Sequence, residues 1–291
     1  MSQDDGTPSF QQPSKPPSRK ETRDNPAPTL AWIEDRIAEI YSVRQIHDQH
    51  VNIAQYSLST YMDTYTAIHE FCTFTKHGRT ESGELNGESL YRRLESAIKA
   101  YCQEAAAVIS ALQDGESIDG PSVPIAVLSA YSRQRNTFSQ ICKKVEHMFS
   151  FLDRHWIKRE VDENKHEVYE LRRLHDLIWV KEVLGVTWPY QGTPEPHTTT
   201  LVIESMKQLQ QHGENDTGPT GSEDDLVQSV LDTFRSLGLE FVDGGLSVPK
   251  VEPVVETPIE KAIKRAKSKL KPVSEEETAR DGSQDQQRSG P

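Results

Sequence analysis

Between Thr29 and Leu237 hydrophobic residues recur every three to four positions through most of the chain, the period of helices with one buried face. This rhythm predicts a helix from Leu30, capped by Thr29, in which Trp32, Ile33, Ile37, Ile40 and Tyr41 share a side. A second helix is expected over about Val51–Lys76. At about 100° per residue, Ile68, Tyr61, Cys72, Tyr65, Leu58, His69 and Met62 fall in an arc of about 120°, which Phe71, Ala67 and Phe74 extend. Only Ser59, Asp63, Thr66, Glu70 and Thr73 form a clearly polar strip. A helix apolar round most of its girth needs cover on more than one side, from its own domain or from a partner.

The polar, glycine-bearing stretch His77–Gly87 reads as a loop. A third helix then carries Leu90, Leu94, Ile98, Tyr101, Ala105, Ile109 and Leu112, and stops at Asp114-Gly115. Ser122 to Pro124 opens a fourth, since proline is tolerated in a first turn. Its apolar positions include Val127, Leu128, Tyr131, Phe138, Ile141, Val145, Met148 and Leu152. A charged junction, Arg154–Glu160, leads to a fifth helix over about Asn164–Leu184. Two shorter amphipathic segments follow, about His197–Gln211 and Glu223–Leu237, around the glycine-rich loop Gly213–Gly221. Strand-like alternation of useful length is confined to Leu239–Val248, so the fold class is all-α, built of stacked long antiparallel helices.

Proline placement sharpens the boundaries, because proline is excluded from helix interiors. Six of the 17 prolines lie in residues 1–28 and five in 246–291, while only Pro121 and Pro124 interrupt Thr29–Trp188. Both ends read as disordered by composition. The hydrophobic fraction is 34%, and adding the 16 glycines leaves it below the roughly 45–50% of an ordinary globular chain, which agrees with unpacked ends. The net charge of −12 argues against general affinity for nucleic acid or anionic membrane. No signal-peptide core or bilayer-length apolar stretch is present, and three widely spaced cysteines suit a reducing compartment, cytoplasmic or nuclear.

Catalytic patterns are missing. The loop Gly213–Gly221 lacks the lysine and preceding strand of a phosphate cradle, and His69-Glu70-Phe71-Cys72 begins like a zincin helix but has Thr73 where the second histidine belongs. Cys72 beside His69 and Cys142 near His147 sit at apolar helical positions, where burial makes a thiol inert. No metal, cofactor or enzymatic activity is expected. The basic run Ile259–Lys271 fits a solvated tail, a localisation signal or a weak membrane helix.

Two segments then carry a resemblance. Tyr61–Thr73, reading YMDTYTAIHEFCT, is similar to the YMxLYTxxxxYCT helix of SCF-type cullins, and Arg154–Glu160, reading RHWIKRE, to the NRHWVRRE junction shared more widely among cullins. Gly87–Leu94 resembles the LYKRL helix, and Asp114-Gly115-Glu116 the turn after it. The resemblance spans roughly Leu30–Leu239 and implies stacked repeats of about five helices: a disordered tail 1–28, a first repeat 29–185, a partial second repeat 186–245, and a disordered tail 246–291. It implies a non-catalytic scaffold of ubiquitin ligation that binds a Skp-family adaptor with its F-box protein. Recruitment of a RING-box subunit is not expected, because the cullin C-terminal domain has no counterpart before Pro291.

The family's adaptor surface carries onto Tyr61, Met62, Tyr65, Thr66 and His69, and onto Ala130, Arg133, Gln134 and Thr137 of the fourth helix. Tyrosine and methionine suit an interface through large area and adaptable packing, although Tyr61 and Tyr65 would serve equally as core. His155 and Trp156 read as packing at the junction. Arg135 stands where the family usually has tryptophan, Ala130 replaces a larger aromatic, and Thr64 stands where leucine is common, each reducing apolar contact.

Overall fold

The computed structural model describes residues 15–42, 57–73, 86–114, 122–163, 165, 167–185, 197–215, 221–242 and 245–247, all within one compact unit, Met1–Val248. The second unit, Pro249–Pro291, and with it the basic run Ile259–Lys271, lies outside the described residues.

Ordered structure begins inside the segment whose composition reads as disordered. Helix α1 (Arg19–Asp24) is held by a capping box, in which the Ser18 hydroxyl accepts from the Glu21 N–H and the Glu21 carboxylate accepts from the Ser18 N–H. Helix α2 (Ala27–Ile40) starts earlier than the expected Leu30, because Pro28 fits a first turn that needs no N–H from it. Thr29 is therefore no cap: it is buried, and its hydroxyl bonds that of Thr22 at 2.8 Å, tying α1 to α2.

Helix α3 (Leu58–Thr73) and helix α4 (Asn86–Ser110) follow, α4 ending in a 3₁₀ turn Ala111–Asp114 at the expected stop. Asn86, expected in a loop, opens α4, and its amide donates to the Phe71 carbonyl at the end of α3 (2.9 Å). Helix α5 (Val123–Met148) opens at Ser122 with Pro124 in its first turn, as its sequence predicts.

The junction continues α5 as Ser150–Leu152, one π-helical turn Asp153–Ile157, and Lys158–Asp162. Helix α6 (Leu171–Glu182) begins well after the expected Asn164. Tyr91 of α4 accounts for the delay: its hydroxyl accepts the Tyr169 N–H (2.9 Å) and lies 3.3 Å from the Tyr169 carbonyl, holding the backbone before Leu171 out of helix. The Leu171 N–H, an orphan of the first turn, is met by the Asp153 carboxylate at 3.4 Å. Gly185, at φ 59°, closes the far end.

Helices α7 (His197–Asn215) and α8 (Gly221–Ser236) pack on α5, and a short antiparallel pair, β1 (Glu240–Val242) with β2 (Gly245–Ser247), lies in the one stretch with strand-like alternation. Helix α7 runs through Gly213–Asn215, so the expected loop is shorter. Helix α5 is central, contacting α3, α4, α6, α7 and α8. An aromatic file crosses the core from Tyr41 through Tyr101, Phe138, Trp179 and Tyr131 to Phe234, with successive ring centroids 5.0–6.1 Å apart.

Candidate functional site

The buried side of α3 is Thr64, Ala67, Ile68 and Phe71, with the Thr64 hydroxyl satisfied by the Thr60 carbonyl at 2.8 Å. The centre of that set lies roughly 150° round the helix from Leu58, Met62 and His69, which consequently face away from the core. Leu58 is 77% exposed and Met62 50%; with Tyr169 they are the exposed large hydrophobics among the described residues. Thr66 is exposed, and Tyr61, Tyr65 and His69 are half-buried. The Tyr61 hydroxyl donates to the His147 carbonyl at 3.3 Å, so its ring packs across the end of α5.

The strip continues onto the junction. The His69 ring meets Phe151 edge-on at 4.5 Å, and Phe151 in turn packs on His155 at 4.4 Å. His155, expected as packing, is exposed at the end of this stack. Trp156 does pack, against Tyr91 (5.5 Å) and against Gly87, where a Cβ would fall 2.4 Å from its ring. Phe151 and Tyr169 escape sequence reading, because each lies beside a break in the helical period that hides which side it faces.

The four α5 positions do not join this strip. Ala130 and Gln134 are buried, 4% and 1% exposed, on covered sides of α5, which contacts α3, α4, α6, α7 and α8. Neither is available to a partner. Arg133 is exposed and Thr137 half-buried, but they sit roughly 15–21 Å along α5 from His147, where α3 meets that helix. Arg133 instead lines a polar groove of about 680 Å³ between α5, α6 and α8, with Arg172 and Asp225.

The thiols behave as core groups. Burial pushes Cys72 and Cys142 up to about 12 and Cys102 well above the ordinary thiol value, so none supplies a thiolate near neutrality. No described helix is long and apolar enough to cross a membrane.

The described residues form an all-α stack of long helices with an apolar strip, Leu58 and Met62, turned to solvent. The family model described as the cullin alpha solenoid domain matches residues 32–261, and the chain belongs to the cullin family. Among curated relatives, Cullin-1 of Caenorhabditis elegans is 27% identical over 43% of this chain and 17% of its own length, and Cullin-1 of Dictyostelium discoideum 25% over 60% and 21%. Cell division control protein 53 of Saccharomyces cerevisiae is 24% identical over 53% of this chain and 17% of its own. The chain thus matches about a fifth of the length of these relatives.

Proposed function

We propose that this chain serves as a non-catalytic, scaffold-like subunit of an SCF-type ubiquitin ligase in the cytosol or nucleus, docking a Skp-family adaptor and its F-box protein through α3. The observation that carries the reading is the exposure of Leu58 and Met62 on the side of α3 opposite its buried face. Tyr65, Thr66 and His69 flank these anchors and Tyr61 borders them; Arg133 and Thr137 are left outside the contact. A partner that covers Leu58 fully gains on the order of 1.5–3 kcal/mol there, and about half as much at the half-exposed Met62.

Binding of the full chain to a recombinant Skp-family adaptor in complex with an F-box protein tests this, by titration calorimetry. Met62→Asp is expected to weaken affinity at least about 100-fold, typical of a charge placed in an interface centre, with helicity by circular dichroism unchanged. Equal affinity of wild type and variant would instead favour a helical module that has lost adaptor binding and serves another partner.

A further inference from the structure

At the end of the α3 strip lies a cleft of about 400 Å³, walled by Thr73 of α3, Gly87 of α4, and Phe151, His155, Trp156 and Arg159 of the junction. Three features define its chemistry. It is continuous with the strip, because Phe151 is at once a wall of the cleft and the ring on which His69 rests. Among the described residues, none lining it carries a carboxylate, although the chain as a whole has a net charge of −12. Its lining presents donors in the Arg159 guanidinium, the His155 ring and the amino-terminal end of α4, where first-turn N–H groups point outward, beside the Thr73 hydroxyl and the Asn86 amide. The indole N–H of Trp156, in the wall, is buried without a hydrogen-bond partner.

The rim adds charge of the same sign. Arg154 and Lys158 are both exposed and, at helical spacing, lie on the face centred on Phe151. Arg159 is partly neutralised by the buried Glu160, which also holds Lys165, and Asp153 is occupied with the Leu171 N–H. Asp162, the next carboxylate on this face, stands a full turn beyond Lys158, and on α3 Glu70 is half-buried. Among the described residues, the end of the strip is thus a cationic notch beside an apolar track.

We propose that this notch receives an acidic segment of the adaptor docked on α3, so that the surface is bipartite: apolar anchors at Leu58 and Met62, and a charge-reading notch at His155, Lys158 and Arg159. This inference rests on the docking role proposed above. The apolar track supplies the larger share of affinity, and the notch sets the register of the partner and accelerates its approach.

His155→Glu with Lys158→Glu tests it, since both side chains are exposed and neither supports the core. At 50 mM salt the double variant is expected to bind the adaptor complex at least 10-fold more weakly than wild type, mainly through slower association, and the two converge near 1 M salt, where charges are screened within about 3 Å. Lys207→Glu, an exposed reversal on α7, controls for the charge reversal made at Lys158 and is expected to bind as wild type. Unchanged affinity of the double variant at 50 mM salt overturns the notch while leaving docking on α3 intact.

A fluorescein-labelled decapeptide of alternating glutamate and leucine separates the two proposals. Fluorescence anisotropy is expected to show it binding wild type at least fivefold more tightly than the double variant. If the adaptor fails to bind and the peptide still discriminates, the adaptor reading falls and the acid-binding notch stands. If the peptide shows no discrimination and the adaptor does not bind, both fall.

Discussion

Arg135 occupies a position that reads from the sequence as a loss of apolar contact with the adaptor, and the fold engages it within the protein itself. Its guanidinium lies 5.5 Å over the Trp179 ring and 5.9 Å from Phe138, and pairs with Asp176 at 2.7 Å, with both charged side chains largely covered. Arg135→Ala removes the stacking and leaves Asp176 unpaired, so a destabilisation of about 2 kcal/mol is expected in urea denaturation; Arg135→Lys restores the charge but not the planar stack, and recovers only part. His175 offers a second residue-scale test. It is buried, its Nδ1–H donates to the Leu171 carbonyl at 2.6 Å, and its Nε2 accepts the Tyr41 hydroxyl at 2.6 Å, joining the end of α2 to α6. Burial lowers its pKa from 6.5 to about 4, outweighing the Leu171 bond and the Asp176 charge that favour the imidazolium. The unfolded chain therefore binds the proton first: His175's contribution is intact above pH 6.5 and is lost as pH falls towards 4, by on the order of 3 kcal/mol. Stability measured across that window should have a shallower slope in His175→Gln.

At the scale of elements, the contact of α4 with the junction depends on Gly87. A Cβ there would lie 2.4 Å from the Trp156 ring, too close for any real contact, so the ring or the helix must move. Alanine gains about 1 kcal/mol in helix propensity, but this strain exceeds that gain; Gly87→Ala is expected to lower the melting temperature by several degrees in calorimetry. Helix α3 shows how far the sequence reaches. Its apolar arc contains both Leu58 and Met62, which the structure leaves exposed, and Ile68, which it buries, so periodicity could not say which edge faces inward. Thr64, a polar residue, is buried with its hydroxyl bonded to the preceding turn, while Leu58 and Met62 face solvent. That choice belongs to the neighbours of α3, to Asn86 fastening its end and to Phe151 beneath His69. The delayed start of α6 has the same origin, since Tyr91 is 78 residues away in sequence from the backbone it holds.

At the scale of the whole molecule, α7 and α8 are part of the core: Val202, Met206, Val230 and Phe234 are fully or almost fully buried, and Phe234 packs on Tyr131 at 5.7 Å. A chain cut after Pro196 would bare one side of α5, so a loss of cooperative unfolding and binding of a hydrophobic dye are expected in thermal melts followed by fluorescence. Ala130 and Gln134 are buried too, which the helical period of α5 does not reveal by itself. What the sequence determined by itself is local: helical period, the proline-opened start of α5, the stop after α4, and the motifs at Tyr61–Thr73 and Arg154–Glu160 that mark the family. These follow from backbone geometry and the spacing of apolar side chains within a few turns. Tertiary structure alone decided which face of each helix is covered, because burial depends on residues brought together from distant parts of the chain; it thereby left Leu58 and Met62 bare, closed over Ala130 and Gln134, and placed Phe151 where the strip on α3 could extend.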